Sequence, residues 1–244
     1  MHTARTMMFE ELQQLLAAVV DPGAMPSEYV YAITDRNCLN KPSAKSRSLT
    51  AQHLITLYTL DPSVTLFRSL IYLWHRDTGA QPLLALQCAL ARDSLLRATA
   101  PLVLGHDVGS VISRLEMEGF VETHNPGRFS PATLKSVAQN INSTWTKSGH
   151  LAGKAVKTRT RAVPTAGATV YALLLGYLEG ARGVSLFETD YARTLDRPLE
   201  QAVELAGEAS RRGWMTFRHV AGVYDVSFPA LLTSQDMELV YGQD

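Results

Sequence analysis

Cysteine is nearly missing from this chain. Cys38 and Cys88 are the only two in 244 residues. Neither has a metal-ligand neighbour at useful spacing, and two isolated thiols exclude a disulfide framework. Long apolar runs are missing as well. The best candidate, Val170 to Leu178, is half the roughly 18 residues a membrane span needs; it predicts a buried core helix instead. Glu10 and Glu11 follow directly on Met7-Met8-Phe9, and an apolar secretion signal would not tolerate them. These absences predict a cytoplasmic protein with no membrane contact.

Catalytic signatures are also lacking. The histidines (His2, His53, His75, His106, His124, His150 and His219) are scattered, and no pair spans one helix face with a Glu between. There is no phosphate loop and no Gly-flanked nucleophilic Ser. Cys38 lies near basic residues that could lower its pKa, but a plain, partly buried cysteine is the better expectation. The sequence therefore predicts no enzyme, no cofactor and no metal.

One more absence is local. Lys and Arg number 23, as do Asp and Glu, so the total charge balances. Yet no acidic residue occurs between Glu122 and Glu179, while Arg128, Lys135, Lys147, Lys154, Lys157, Arg159 and Arg161 all fall there. A patch creates a local field whatever the total charge is.

What is present is mostly helical spacing. Met8 to Val20 forms a helix stopped by Asp21-Pro22-Gly23, and Pro26 to Pro42 is less regular. Thr50 to Leu60 is helical, and Asp61-Pro62 starts the next helix, which carries Phe67, Leu70 and Trp74 and ends at Gly79. Pro82 to Ala98 is apolar on most faces, as a central bundle helix should be; its Arg92 and Asp93 are placed to pair with other helices. A short helix follows from Pro101 to about Gly105. Val108 to Met117 predicts a helix closed by Gly119, with Phe120-Val121 extended. Ser130-Pro131 is a strong helix start, and that helix runs to Gly149. Leu151 to Val163 lacks helical periodicity and predicts a β-ribbon. Thr169 to Leu178 and Leu186 to Leu195 are short helices, Pro198 to Gly213 is a long one, and Trp214 to Phe228 alternates as a hairpin turning at Ala221-Gly222.

The fold class is therefore mainly α with small β content. The predicted divisions are a helical bundle over 1–106, a basic winged-helix-like module over 107–178, and a second helix and β-hairpin module over 179–244. Two helices followed by a ribbon is the order of a winged helix-turn-helix, whose second helix enters the major groove.

The candidate site follows from that order. On the helix after Ser130, Lys135, Gln139, Asn142 and Lys147 are polar; Gln and Asn can pair with adenine edges, and Lys with guanine or phosphate. On the ribbon lie Lys154, Lys157, Arg159 and Arg161, the last three on one face because strand side chains alternate. The bland alternative is a solvated basic loop. Lys41, Lys45 and Arg47, with Arg36, form a second cluster that is equally well a capped helix start. Glu200, Glu204 and Glu208 make the last long helix a poor reader of phosphate; that unit is expected to pack on the rest of the chain or on a partner.

Two stretches, Asn37 to Arg47 and Ser130-Pro131-Ala132-Thr133-Leu134 through Gly149-His150-Leu151, together with the bundle helices between them, resemble the BrxA family of bacterial BREX phage-defence systems. The match spans about residues 30 to 175. It implies a small, helical, non-enzymatic protein that binds double-stranded DNA and works beside other subunits of a defence complex, a methyltransferase, an ATPase and a phosphatase-like protein among them. A protein–protein adaptor and a winged-helix transcriptional regulator are the alternatives that the residues leave open, as are DNA against RNA, sequence preference and oligomeric state.

Overall fold

The computed structural model describes residues 5–241; His2 lies outside them. The described chain is mainly helical, with two small sheets. None of its helices is long and apolar enough to cross a membrane.

The first part is the expected bundle: α1 (Phe9–Ala18), α2 (Pro26–Thr34), α3 (Ala44–Tyr58), α4 (Thr65–Arg76), α5 (Gln81–Arg92), α6 (Ser94–Ala98) and α7 (Ala100–Gly105). Three boundaries differ from expectation, each for a local reason. Pro26 opens a regular helix, because it takes a first-turn position and Glu28 accepts the Met25 N–H at 2.6 Å. Helix α3 starts earlier, because the Ser43 hydroxyl accepts from the Ser46 N–H at 3.1 Å. The apolar stretch after Pro82 breaks at Asp93, whose carboxylate takes the Leu95 and Leu96 N–H groups at 3.0 and 3.1 Å and so starts α6. Arg92 pairs with another helix as expected, donating to the Thr56 carbonyl at 2.6 Å.

Next come β1 (Val111–Ile112), α8 (Arg114–His124), α9 (Pro131–Lys147), β2 (Leu151–Ala152) and β3 (Lys157–Arg159). The three strands are antiparallel in the order β1-β3-β2, with Ile112 opposite Lys157 and Leu151 opposite Arg159. Helix, strand, two helices and a hairpin, closed into a sheet in this order, is the connectivity of a winged helix. The helix expected over 108–117 is corrected: Val111 and Ile112 pair with β3, and the helix begins after Ser113. Ser113 accepts from the Glu116 N–H at 3.0 Å, and Glu116 returns the favour to the Ser113 N–H at 3.4 Å. Gly119 sits inside α8 rather than at its end, and Phe120 and Val121 are helical. Val121 and Met117 are buried one turn apart, so core contacts hold the helix through the glycine.

Helix α10 (Ala166–Leu178) is buried on nearly every side, as its composition predicts. Although it follows the basic ribbon in sequence, it packs on α4 and α5 of the bundle. It packs equally on α11 (Asp190–Arg193) and α12 (Leu199–Arg211) of the C-terminal unit. One hydrophobic core thus runs from Met7 to Leu232. The helix expected over 186–195 is a 3₁₀ turn (Gly183–Glu188) and the short α11. The hairpin β4 (Thr216–Val220) and β5 (Val223–Ser227) turns at Ala221-Gly222, both at positive φ, as a tight two-residue turn requires. The last helix, α13 (Ser234–Tyr241), returns to the bundle through an ion pair of Asp236 with Arg68.

Candidate nucleic-acid interface

Helix α9 is set by its two ends. The Ser130 hydroxyl accepts from the Thr133 N–H at 3.3 Å, Pro131 takes the first position, and Gly149 follows at φ 85°. Val137, Ala138, Ile141 and Trp145 are buried, with the Trp145 indole N–H donating to Thr99 Oγ1 at 2.9 Å. This anchoring leaves Thr133, Lys135, Ser136 and Gln139, in the N-terminal half, facing solvent. The turn between β2 and β3 carries Lys154, also exposed. Gly153 opens that turn at φ 97°; a Cβ there would stand 2.1 Å from the Val156 carbonyl oxygen.

Between the start of α8, the middle of α9 and this turn lies a cleft of about 510 Å³, lined by Arg114, Gln139, Asn142, Ser143, Lys154, Ala155 and Lys157. No carboxylate lines it. The Lys157 ammonium donates to the Gly153 carbonyl at 2.6 Å, and burial lowers its pKa. Nearby acids on α8 are already engaged. Glu118 pairs with Arg114, Glu116 with His106 at 2.9 Å, and Glu122 accepts the Gly127 N–H at 2.8 Å.

The structure brings together Lys135, Gln139, Asn142, Lys154 and Lys157 of the expected site. The other six members are placed elsewhere or otherwise engaged. Arg159 is corrected outright: it is 2% exposed and forms a two-pronged ion pair with Asp196 at 2.8 and 2.9 Å. Lys157 and Arg159 do share a strand face, but Arg159 is covered by the C-terminal unit while Lys157, at the hairpin end, is half-exposed. Arg161 lies past the end of β3, in a separate cavity of about 540 Å³ with Arg193, Arg197 and Asp190. Lys147 pairs with Glu10 of α1. In the second cluster, Lys41 pairs with Glu11 at 3.1 Å, Lys45 is exposed, and Arg47 sits half-buried on the first turn of α3 behind the Ser43 cap. This is the capped helix start that was the alternative for it. Arg114 was missed; the Ser113-to-Glu116 capping pattern would have put it at a helix start.

Behind the interface His150 ties the module to the C-terminal unit. Its Nε2–H donates to the Thr194 carbonyl at 2.9 Å, and Nδ1 is 2.8 Å from the Ser148 hydroxyl. Burial lowers its pKa from 6.5 to about 4, against the Thr194 bond and Asp196, which raise it. The neutral ring is therefore the native form. Below its unfolded pKa the unfolded chain takes up a proton that the native chain refuses, so stability is flat above about pH 6.5 and falls towards pH 4, by up to about 3 kcal/mol in total. Urea midpoints between about pH 7 and pH 5 should drop in the wild type and drop less in His150→Gln; equal drops would contradict this role.

Burial raises the Cys38 thiol pKa, which outweighs nearby Arg36, and Cys88 is fully buried, with its pKa pushed up to about 12. Among the described residues, no group of three or more His, Cys, Asp or Glu is placed to hold a metal ion. Comparison with protein-family models and with curated proteins finds no match to this chain.

Proposed function

We propose that this chain binds duplex DNA through the exposed half of α9 and the β2–β3 turn, and does so as a non-enzymatic accessory protein of a BREX-type phage-defence system. One observation carries the DNA reading. The solvent face of α9 and the neighbouring turn combine Lys135, Lys154, Lys157 and the Gln139 amide with no carboxylate among them. That arrangement suits a helix laid in the major groove with a hairpin against the flanking backbone. The lysines would neutralise phosphates and fix position, and Gln139 is the exposed group nearest a base edge. The defence setting rests on the resemblance over residues 37–47 and 130–151, where both serine caps, Ser43 and Ser130, start helices.

Lys154→Ala tests the placement. It should weaken binding to unrelated duplexes alike and lower the salt slope by about 1, as loss of one phosphate contact does. An unchanged slope would take the turn out of the interface.

The adaptor reading has its own observation: Val220 and Val223 are 73% and 69% exposed at the tip of the β4–β5 hairpin. Retention of a partner subunit without retention on DNA would favour it.

A further inference from the structure

The proposed interface holds a feature that phosphate contacts do not use. Asn142 lines the cleft between α8, α9 and the hairpin turn, yet it is 3% exposed and its Oδ1 has no hydrogen-bond partner. A buried amide oxygen left unmet costs stability. The rest of the lining offers donors of positive or neutral character from Gln139, Lys154 and Lys157, while Arg114 is held by Glu118. A complementary ligand brings negative charge for the rim and a hydrogen-bond donor for the depth. A volume of about 510 Å³ is within the usual range for small-ligand sites.

A nucleotide meets both demands. Its phosphate suits the two lysines, and an exocyclic amino group suits Asn142 Oδ1. Asn142 lies below the helix surface, so it cannot touch the edge of a base that stays stacked in a duplex; Gln139, one turn earlier and exposed, can. Two carboxamides at one site favour adenine, which presents an amino group beside the N7 acceptor. Thymine has no such amino group.

We infer that the cleft takes one unstacked nucleotide of the bound DNA, with adenine preferred, Asn142 Oδ1 accepting from its amino group while Lys154 and Lys157 hold the flanking phosphates. This rests on the DNA-binding reading of the same face and adds which base the face takes and in what state.

The test is fluorescence anisotropy of the full chain with labelled single-stranded oligo(dA) and oligo(dT). Oligo(dA) should bind about tenfold more tightly. The stronger stacking within oligo(dA) opposes this preference, so chain flexibility cannot produce it. Asn142→Leu, which keeps the branched shape and removes the acceptor, should abolish the preference. Equal wild-type affinity for the two strands overturns the inference, as does a preference that Asn142→Leu retains. If that variant does not fold, dAMP and dTMP competing for the wild-type chain decide: stronger displacement of oligo(dA) by dAMP supports the pocket, and equal displacement removes it. Duplex binding without strand preference leaves the interface and sinks the pocket. Strand preference without duplex binding does the reverse.

Discussion

Arg159→Ala is expected to cost about 3–5 kcal/mol of stability and, in the folded variant, to leave the salt slope of DNA binding unchanged. The Arg159 fork meets both carboxylate oxygens of Asp196 at 2.8 and 2.9 Å, and Nη1 also bonds the Thr160 carbonyl. Asp196 is largely buried itself, in the left-handed region at φ 55°. Removing the arginine strands that carboxylate, and removing one partner is the costly way to break a buried pair. For a chain of this length the loss corresponds to a fall in Tm of roughly 10 °C. Arg159→Lys should lie between, because an ammonium cannot make two parallel bonds. Arg159→Met combined with Asp196→Asn should recover most of the loss, since no charge is then left alone and Asn tolerates the left-handed backbone. Thermal unfolding followed by circular dichroism measures all three. A fall in Tm of only a degree or two for Arg159→Ala would show that the pair does not join β3 to the C-terminal unit as described.

The complementary variant should leave stability alone and remove binding. Lys135 and Lys154 are exposed, and neither is needed to cap or pack an element. Reversing both, as Lys135→Glu with Lys154→Glu, replaces two attractions to phosphate with two repulsions. At physiological salt this should weaken duplex binding roughly a hundredfold, with Tm within about 2 °C of wild type, as for other surface changes. The loss should shrink as salt rises, because exposed charges are screened. Equal affinity for wild type and double variant would move the DNA site away from α9.

These two variants mark where the sequence was legible. Helix α9 was bounded correctly from Ser130-Pro131 and Gly149, because caps are local chemistry. The β4–β5 hairpin followed from alternation and Ala221-Gly222 for the same reason. Helix α8 departs from expectation because Gly119, a stop by local propensity, is flanked by Met117 and Val121, which bury against the core and hold the turn. Strand β1 is two residues long, too short for any periodicity to show, and exists only because β3 comes back to pair with it. The role of Arg159 was out of reach. Alternation groups it with Lys157 on one face, which is what the strand does, but whether Arg159 itself is covered depends on Asp196, 37 residues later in the chain. Lys147 and Lys41 are hidden from sequence in the same way, since their partners Glu10 and Glu11 lie far away in the chain. A basic stretch free of acids thus located the candidate site, while long-range ion pairs decided which of its cations remain available.

The most direct test of DNA binding through α9 and the β2–β3 turn is the affinity of the wild-type chain for a fluorescent mixed-sequence duplex over a salt series. With Lys135, Lys154 and Lys157 as the cations facing the backbone, log K should fall linearly with log salt at a slope of about −3, roughly 0.9 for each phosphate neutralised. No binding at low salt, or a slope near zero, would contradict it and put the adaptor reading first.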